Sequence, residues 1–338
     1  MRDSIISTLY KNKGDRIDGN NYRGISLLCI AGKLFARVAL YRLQKIAERV
    51  YPESQCGFRS NRSTVDMILS LRQLQERCKE QQQPLYIVFI DLTKALDLFS
   101  RDGIFKILPL LGCPPKFLNF IKSFEDASRE PRTKVAIRDL LLADDVALVA
   151  HSAEKLQLLL NQFSDAWQAS RLTSSLKKTK FMSQDNAATP AVTIKDYILE
   201  AVTQFTYLGS TTSNNNCLQV EIRKRIGKAA TNMAKLSSRV WENKKLTTQT
   251  KVAVYRPCIV STLLFGSESW TTYASKEKRL NIFHMRCLRR ILSISWTDKV
   301  SNNKELARAN IPSMFHPDKT AQIEVARSCV PDGGWANH

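Results

Sequence analysis

The sequence predicts an α+β protein, and three observations carry the prediction. Leu85-Tyr86-Ile87-Val88-Phe89-Ile90 is a short, continuous, β-branched and aromatic run behind Gln81-Gln82-Gln83-Pro84, the pattern of a buried strand that follows a turn, with Asp91 at its exit. Leu140-Leu141-Leu142 and Val146-Ala147-Leu148-Val149-Ala150 are two more apolar runs, separated by Ala143-Asp144-Asp145. A tight turn there makes a hairpin whose tip pushes both carboxylates out of the sheet. Downstream the period changes: Ile222, Ile226, Ala229, Met233, Leu236 and Val240 recur at helical spacing.

The other elements follow in chain order. After a polar start, residues Ile30 through Leu43 have a helical pattern, Pro52 to Thr64 reads as a loop, and Val65 to Lys79 as a second helix. Between the first strand and the hairpin, Ile104 to Phe124 holds two apolar helical stretches split by Gly112-Cys113-Pro114-Pro115. Asn214-Asn215-Asn216 marks a turn into a helical region. In it, Lys251 to Gly266 reads as a helix interrupted at Pro257. A further helix turns Leu280, Phe283, Cys287, Leu288 and Ile291 inward and Arg279, Arg286, Arg289 and Arg290 outward, and Trp270 and Trp296 are expected in the core. The stretch from about Ser313, with Pro317, Pro331 and Gly333-Gly334, reads as a loosely ordered tail.

With 338 residues and 43% apolar content the chain can build two or three cores. Its 51 Lys+Arg against 31 Asp+Glu give +20, which points to a polyanionic partner. The charge is concentrated: residues 220–300 hold 17 basic and 5 acidic side chains. Eight cysteines are scattered without any Cys-x-x-Cys, so neither a zinc site nor a disulfide framework is expected, which suits a reducing compartment. There is no amino-terminal signal pattern and no apolar stretch long enough to cross a membrane. An intracellular protein of the nucleus or cytoplasm, not a secreted one, is the expectation.

The acidic residues suggest the chemistry. Clustered carboxylates repel one another and their pKa values are driven apart and upward, a penalty that a divalent cation removes. Magnesium takes hard oxygen ligands and keeps several waters, so Asp91, Asp144 and Asp145 with nucleotide phosphates form a suitable shell. Two such ions, roughly 3.5–4 Å apart, can polarise an attacking hydroxyl and neutralise a departing pyrophosphate in an in-line displacement. Taken singly, either acidic motif is ordinary turn or helix-start chemistry.

Taken with their flanks they form an ordered set. Asn21-Tyr22-Arg23-Gly24-Ile25-Ser26-Leu27-Leu28, Gln55-Cys56-Gly57-Phe58-Arg59, Ile90-Asp91-Leu92-Thr93-Lys94-Ala95-Leu96-Asp97, Ala143-Asp144-Asp145, Lys178-Thr179-Lys180 and Phe205-Thr206-Tyr207-Leu208-Gly209-Ser210 follow one another as the reverse transcriptase motifs of non-LTR retrotransposons do. From about Lys11 to about Asn310 the chain resembles that polymerase. The resemblance implies a right-hand polymerase, with fingers at 1–84, a partial palm with an antiparallel sheet at 85–210, a basic helical thumb at 211–312 and the tail at 313–338. It implies an RNA template, a DNA primer and deoxynucleoside triphosphates as partners, and two Mg2+ ions as cofactors.

Position by position, Asp91 matches the first palm aspartate, Asp144 the second metal ligand and Asp145 its acidic neighbour. Lys178 matches the lysine proposed to protonate pyrophosphate, although its run with Lys177 and Lys180 also fits the solvated end of a helix. Arg59 resembles the fingers arginine that approaches the triphosphate, a role suited to a forked, permanently charged guanidinium. Leu96 stands where the family usually has a phenylalanine against the ribose 2′-hydroxyl. Tyr207, Leu208 and Gly209 resemble the primer-gripping turn, and Arg223, Lys224, Arg225, Lys228, Lys235 and Arg239 the thumb surface that tracks the duplex.

The chain also departs from the family. Only 53 positions separate Asp91 from Asp144, and they contain no match to the Gly-Gln-Gly/Cys loop or the Ser-Pro-x-Leu-Phe helix start that normally lie there. An internal deletion is the simplest account; it would remove packing cover from the sheet and misplace the nucleotide, so weak or absent polymerase activity is expected. The family's upstream endonuclease is not in this sequence, so cleavage of a genomic target is not expected of this chain alone. Three readings stand: a reverse transcriptase-like enzyme impaired by the lost segment, a catalytically dead remnant that binds nucleic acid through its basic thumb, and a poorly folding fragment without a role.

Overall fold

A computed structural model of the chain describes residues 5–311 and 313, apart from 13, 28, 52–55, 58, 60, 94–100, 128–144, 170–172, 185–189, 272–273 and 312. It contains two compact units, each assembled from separated segments: Met1–Met67, Ile87–Phe181 and Pro190–Glu200 in the first, Ile68–Tyr86, Met182–Thr189 and Ala201–His338 in the second. The expected tail lies outside the described residues, Ser313 excepted.

The first unit begins with a hairpin that sequence patterning does not anticipate. Strands β1 (Ile5–Tyr10) and β2 (Tyr22–Leu27) pair antiparallel from Ile5 opposite Leu27 to Tyr10 opposite Tyr22. The Tyr10 and Tyr22 rings pack at 5.4 Å, and the Arg16 guanidinium covers Tyr10 at the same distance. Helix α1 (Ile30–Ala47) starts where the Cys29 thiol accepts from the Gly32 N–H. It buries Ala39 and Leu43 and leaves Ile30, Leu34, Val38 and Tyr41 exposed.

Leu43 joins a core with Leu108, Cys113, Leu118 and Ile121. Those four come from helices α3 (Arg101–Leu110) and α4 (Pro115–Ala127) and from the turn between them. That turn is legible in the sequence: Gly112 has φ +81°, its N–H donates to Pro109 and the Cys113 N–H to Leu108. This is a Schellman stop, and the next helix starts on proline.

Helix α2 (Thr64–Glu80) matches its expected span to within a residue. Strand β3 (Leu85–Thr93) is longer than expected, continuing through Asp91 instead of ending before it. Leu85, Ile87, Val88, Phe89 and Ile90 are all nearly inaccessible, as befits a strand flanked on both sides. The sheet runs β4 (Asp145–Ala150), β3, β6 (Lys180–Gln184), β9 (Glu200–Ala201), with β5 (Thr173–Ser174) added antiparallel to the end of β3. Leu140, Leu141 and Leu142, the first arm of the expected acidic hairpin, lie outside the described residues.

Cover for the sheet comes from α5 (Ala153–Ala169), whose Leu156 and Leu160 are fully buried and which packs on β4 and on the short strand β7 (Thr193–Ile194). Gln157 fixes the latter, donating to the Thr193 carbonyl at 2.7 Å and accepting its N–H at 3.0 Å. A helix therefore lies against β4. β7 pairs with β8 (Tyr197–Ile198) in a separate small hairpin.

The second unit is mostly helical. A hairpin of β10 (Gln204–Tyr207) and β11 (Ser210–Ser213) leads into α6 (Leu218–Lys235), followed by α7 (Thr248–Tyr255), α8 (Ser261–Leu264), α9 (Ala274–Leu292) and α10 (Asn302–Ala309). The interruption expected at Pro257 is a π-turn, Arg256–Val260, that widens the path from α7 to α8 without breaking it. Proline lacks the N–H a regular helix would use, and the wider turn absorbs the misfit. The core gathers Ile222, Ala229, Met233, Trp241, Tyr255, Leu263, Leu280 and Leu288, with Trp270 packed at its side. The Trp241 indole donates to the Met233 carbonyl at 2.8 Å. Of the Trp296 side chain the described structure holds nothing.

Candidate active site and nucleic-acid interface

Asp91 and Lys178, far apart in sequence, meet at the end of β3, and Asp145 opens the strand beside it. Asp91 is the seventh residue of that strand and its side chain is 31% exposed. Its backbone carbonyl accepts the Ser175 N–H at 3.0 Å, while β5 pairs beside it, Leu92 opposite Ser174. Ser175 then starts a tight turn: its carbonyl accepts from the N–H groups of Lys178 and Thr179 and from the Thr179 hydroxyl. That geometry returns the Lys178 ammonium to the Asp91 carboxylate, Nζ to Oδ2 3.0 Å. Lys178 thus sits in a turn between β5 and β6, not at a helix end.

Asp145 opens β4, the neighbour of β3. The residue is exposed overall, yet its carboxyl is raised above the ordinary carboxylate range. Partial loss of hydration is the main cause and the negative charge of Asp91 the second, while Lys178 acts in the opposite direction. The charge coupling places Asp145 in one electrostatic cluster with Asp91 and Lys178. Asp144 and Leu96 lie outside the described residues. Among the described residues no group of three or more His, Cys, Asp or Glu side chains is arranged to hold a metal. Two carboxylates are the donor set on view, hard oxygens of the kind magnesium accepts alongside water and phosphate. Arg59 is half-buried, and its carbonyl accepts the Arg62 N–H at 3.3 Å.

Tyr207, Leu208 and Gly209 form the tip of the β10–β11 hairpin. Tyr207 pairs with Ser210, and the two residues between have φ +47° and +82°, the type I′ geometry that matches strand twist. Tyr207 is buried, Leu208 half-buried and Gly209 exposed, so the tip offers Leu208 and Gly209 to solvent.

On α6, Arg223, Lys224, Lys228 and Lys235 are exposed, as is Arg239 in the π-turn that follows. Arg225 corrects the expected pattern: it is 5% exposed, and its Nε donates to Glu221 at 2.6 Å. Placed one turn after Glu221 on the face toward the hairpin, it is spent on an internal pair instead of facing outward. Arg286 and Arg290 on α9 are exposed as expected, whereas Arg289 is partly covered and paired at 2.8 Å with the buried carboxylate of Glu305.

Sequence reading missed the polar cluster behind the hairpin. Arg72 and Gln75 of α2 are buried, Arg72 Nη2 donating to Ser210 Oγ and the Thr211 carbonyl, Gln75 to the Ser213 carbonyl. Glu221, also buried, accepts from Ser210 Oγ and the Thr211 N–H. The one signal available was the Glu221/Arg225 spacing of four on a helix.

Residues 11–138 match the family described as reverse transcriptase (RNA-dependent DNA polymerase). Over that stretch the chain is similar to the reverse transcriptases. It is 24% identical over 330 residues, 80% of its length, to a probable RNA-directed DNA polymerase from transposon BS of Drosophila melanogaster. It is 21% identical over 350 residues, 87% of its length, to the RNA-directed DNA polymerase from mobile element jockey of the same fly. A putative uncharacterized transposon-derived protein of Caenorhabditis elegans is 26% identical over 211 residues, 60% of this chain and 71% of that one. The chain spans 36% and 38% of the two fly polymerases. The architecture mixes helix and sheet, and no helix among the described residues is long and apolar enough to cross a membrane.

Proposed function

We propose that this reverse transcriptase-like chain is built for RNA-templated DNA synthesis by two-metal nucleotidyl transfer, with fingers at 1–84, palm at 85–210 and thumb at 211–312. The observation that carries the reading is the contact of Asp91 with Lys178, 87 residues away in sequence and held by a tethered turn, with Asp145 opening the adjacent strand. Asp91, Asp144 and Asp145 would hold the ions, which when bound supply the positive charge that stabilises the attacking oxygen and the leaving pyrophosphate.

The chain's own groups do the rest. The Lys178 ammonium, held beside the carboxylates by the Ser175 turn, carries a proton that a leaving pyrophosphate oxygen can take. Arg59 would meet the triphosphate of the incoming deoxynucleotide, Leu96 would pack on its sugar, and the 207–209 turn would hold the primer. Arg223, Lys224, Lys228, Lys235 and Arg239 present exposed charge to a template–primer duplex. Arg225, being internal, is not assigned that role.

An impairing internal deletion belongs to the same proposal. The alignment with the jockey polymerase covers 350 positions, more than the 338 residues of the whole chain, although only 87% of the chain takes part. The relative therefore has positions that this chain skips. The alternative is a remnant without catalysis that keeps the basic surface. Primer extension on an RNA template with magnesium, beside Asp91→Ala, separates them. Weak extension lost in the variant supports the impaired enzyme; none in either, with retained hybrid binding, supports the remnant. Robust extension by the parent would sink the deletion argument.

A further inference from the structure

Leu208 is a branched residue in the left-handed backbone region, a conformation that persists only when its surroundings impose it. The residues that follow it are held from behind by buried charged side chains. Arg225 Nη2 donates to the Gly209 carbonyl at 2.6 Å, and its guanidinium lies 4.5 Å from the centre of the Phe265 ring. The same ring sits where a Cβ on Gly209 would meet it at 3.4 Å. Glu221 accepts from Arg225 Nε, from Ser210 Oγ at 3.3 Å and from the Thr211 N–H at 2.6 Å. Arg72 closes the set from the other side, reaching Ser210 Oγ at 3.2 Å and the Thr211 carbonyl at 3.3 Å. Glu221 is 1% and Arg72 6% exposed.

Burying three charges is a poor way to gain stability, because desolvation offsets much of the attraction and apolar packing would serve as well. What forked guanidiniums and a bidentate carboxylate provide is direction. Every backbone and hydroxyl group they bind belongs to Gly209, Ser210 or Thr211, the tip and first residues of β11.

We infer that Glu221, with Arg225 and Arg72, is a positioning device that sets the shape of the 207–209 turn and so the place of a primer end bound against it. This rests on the primer-gripping role proposed above for that turn and adds to it residues that touch no nucleic acid. Phe265 belongs to the device, since it covers both Arg225 and Gly209.

The test uses the full chain and an RNA template annealed to a DNA primer carrying a fluorescent base analogue at its 3′ end. Glu221→Gln and Phe265→Leu should each bind the hybrid within about twofold of the parent, since no phosphate contact is removed. Each should lose at least about half of the fluorescence change that the parent produces at the primer end. Lys228→Glu should do the reverse, weakening affinity while the bound complexes keep the parent signal. If Glu221→Gln fails to unfold cooperatively, Phe265→Leu, half-exposed and outside the ion pair, decides alone. Variants that bind and give the full parental signal overturn the inference and leave the proposed function standing. A parent that does not bind the hybrid, or binds without changing the signal, overturns the primer-gripping reading and the inference with it.

Discussion

Glu221→Ala should be among the most destabilising single changes in the second unit. It strips three acceptor contacts, from Arg225 Nε, Ser210 Oγ and the Thr211 N–H, leaving the buried Arg225 guanidinium without its ion-pair partner and the buried Arg72 with only Glu76 to offset its charge. Burial already lowers the Arg72 pKa, and Glu221 is the leading influence holding it up. Breaking a buried pair of this kind costs about 3–5 kcal/mol, against a folding free energy of about 5–15 kcal/mol. In urea-induced unfolding followed by circular dichroism the midpoint should fall with the slope unchanged. Replacing all three charges together, Arg72→Met with Glu221→Leu and Arg225→Met, should return stability to within about 1 kcal/mol of the parent or above it. The triple variant should not recover the primer-end fluorescence. A loss below about 1 kcal/mol for Glu221→Ala would refute the claim that the carboxylate neutralises two dry cations.

Three further outcomes follow from the geometry. His284 is buried, its Nδ1 on the Tyr255 hydroxyl at 2.8 Å, and burial pushes its pKa down from 6.5 to about 4. A depressed folded-state pKa means stability is fully present above 6.5 and drains as pH falls toward 4, by roughly 3 kcal/mol in all, so His284→Phe should flatten that part of a stability–pH curve. Asp145 has the opposite sign: its raised pKa favours the folded state when it is protonated, and that contribution is lost as pH rises through the folded value. In metal-free protein at neutral pH, Asp145→Asn should therefore melt at or above the parent temperature, and added magnesium should raise the parent's melting temperature but not the variant's. Lys224→Glu with Lys228→Glu should weaken hybrid binding and flatten the plot of log affinity against log salt by about two, while Arg225→Lys should leave that slope alone.

Local patterning was legible wherever one residue type has one structural use. The Gly112-Cys113-Pro114-Pro115 stop, the α2 span and the dry strand before Asp91 all appear where spacing puts them, because helix stops and buried strands are set by neighbours in the chain. The β1–β2 hairpin was not legible, since its strands lack alternation and leave Leu9, Ile25 and Leu27 exposed. Arg225 was misread for a related reason: a basic residue on an amphipathic helix is outward by default, and only the hairpin packed over it makes that face an interior.

By itself the sequence determined the resemblance to reverse transcriptases, through the order of its motifs, and the acidic character of the β3 end, because both are properties of residues along a line. Only the tertiary structure decided that Lys178 reaches Asp91, that Asp145 feels its charge, and that Glu221 and Arg72 stand behind the hairpin. Those relations depend on strand adjacency and on which helix face is dry, and neither is a property of spacing alone.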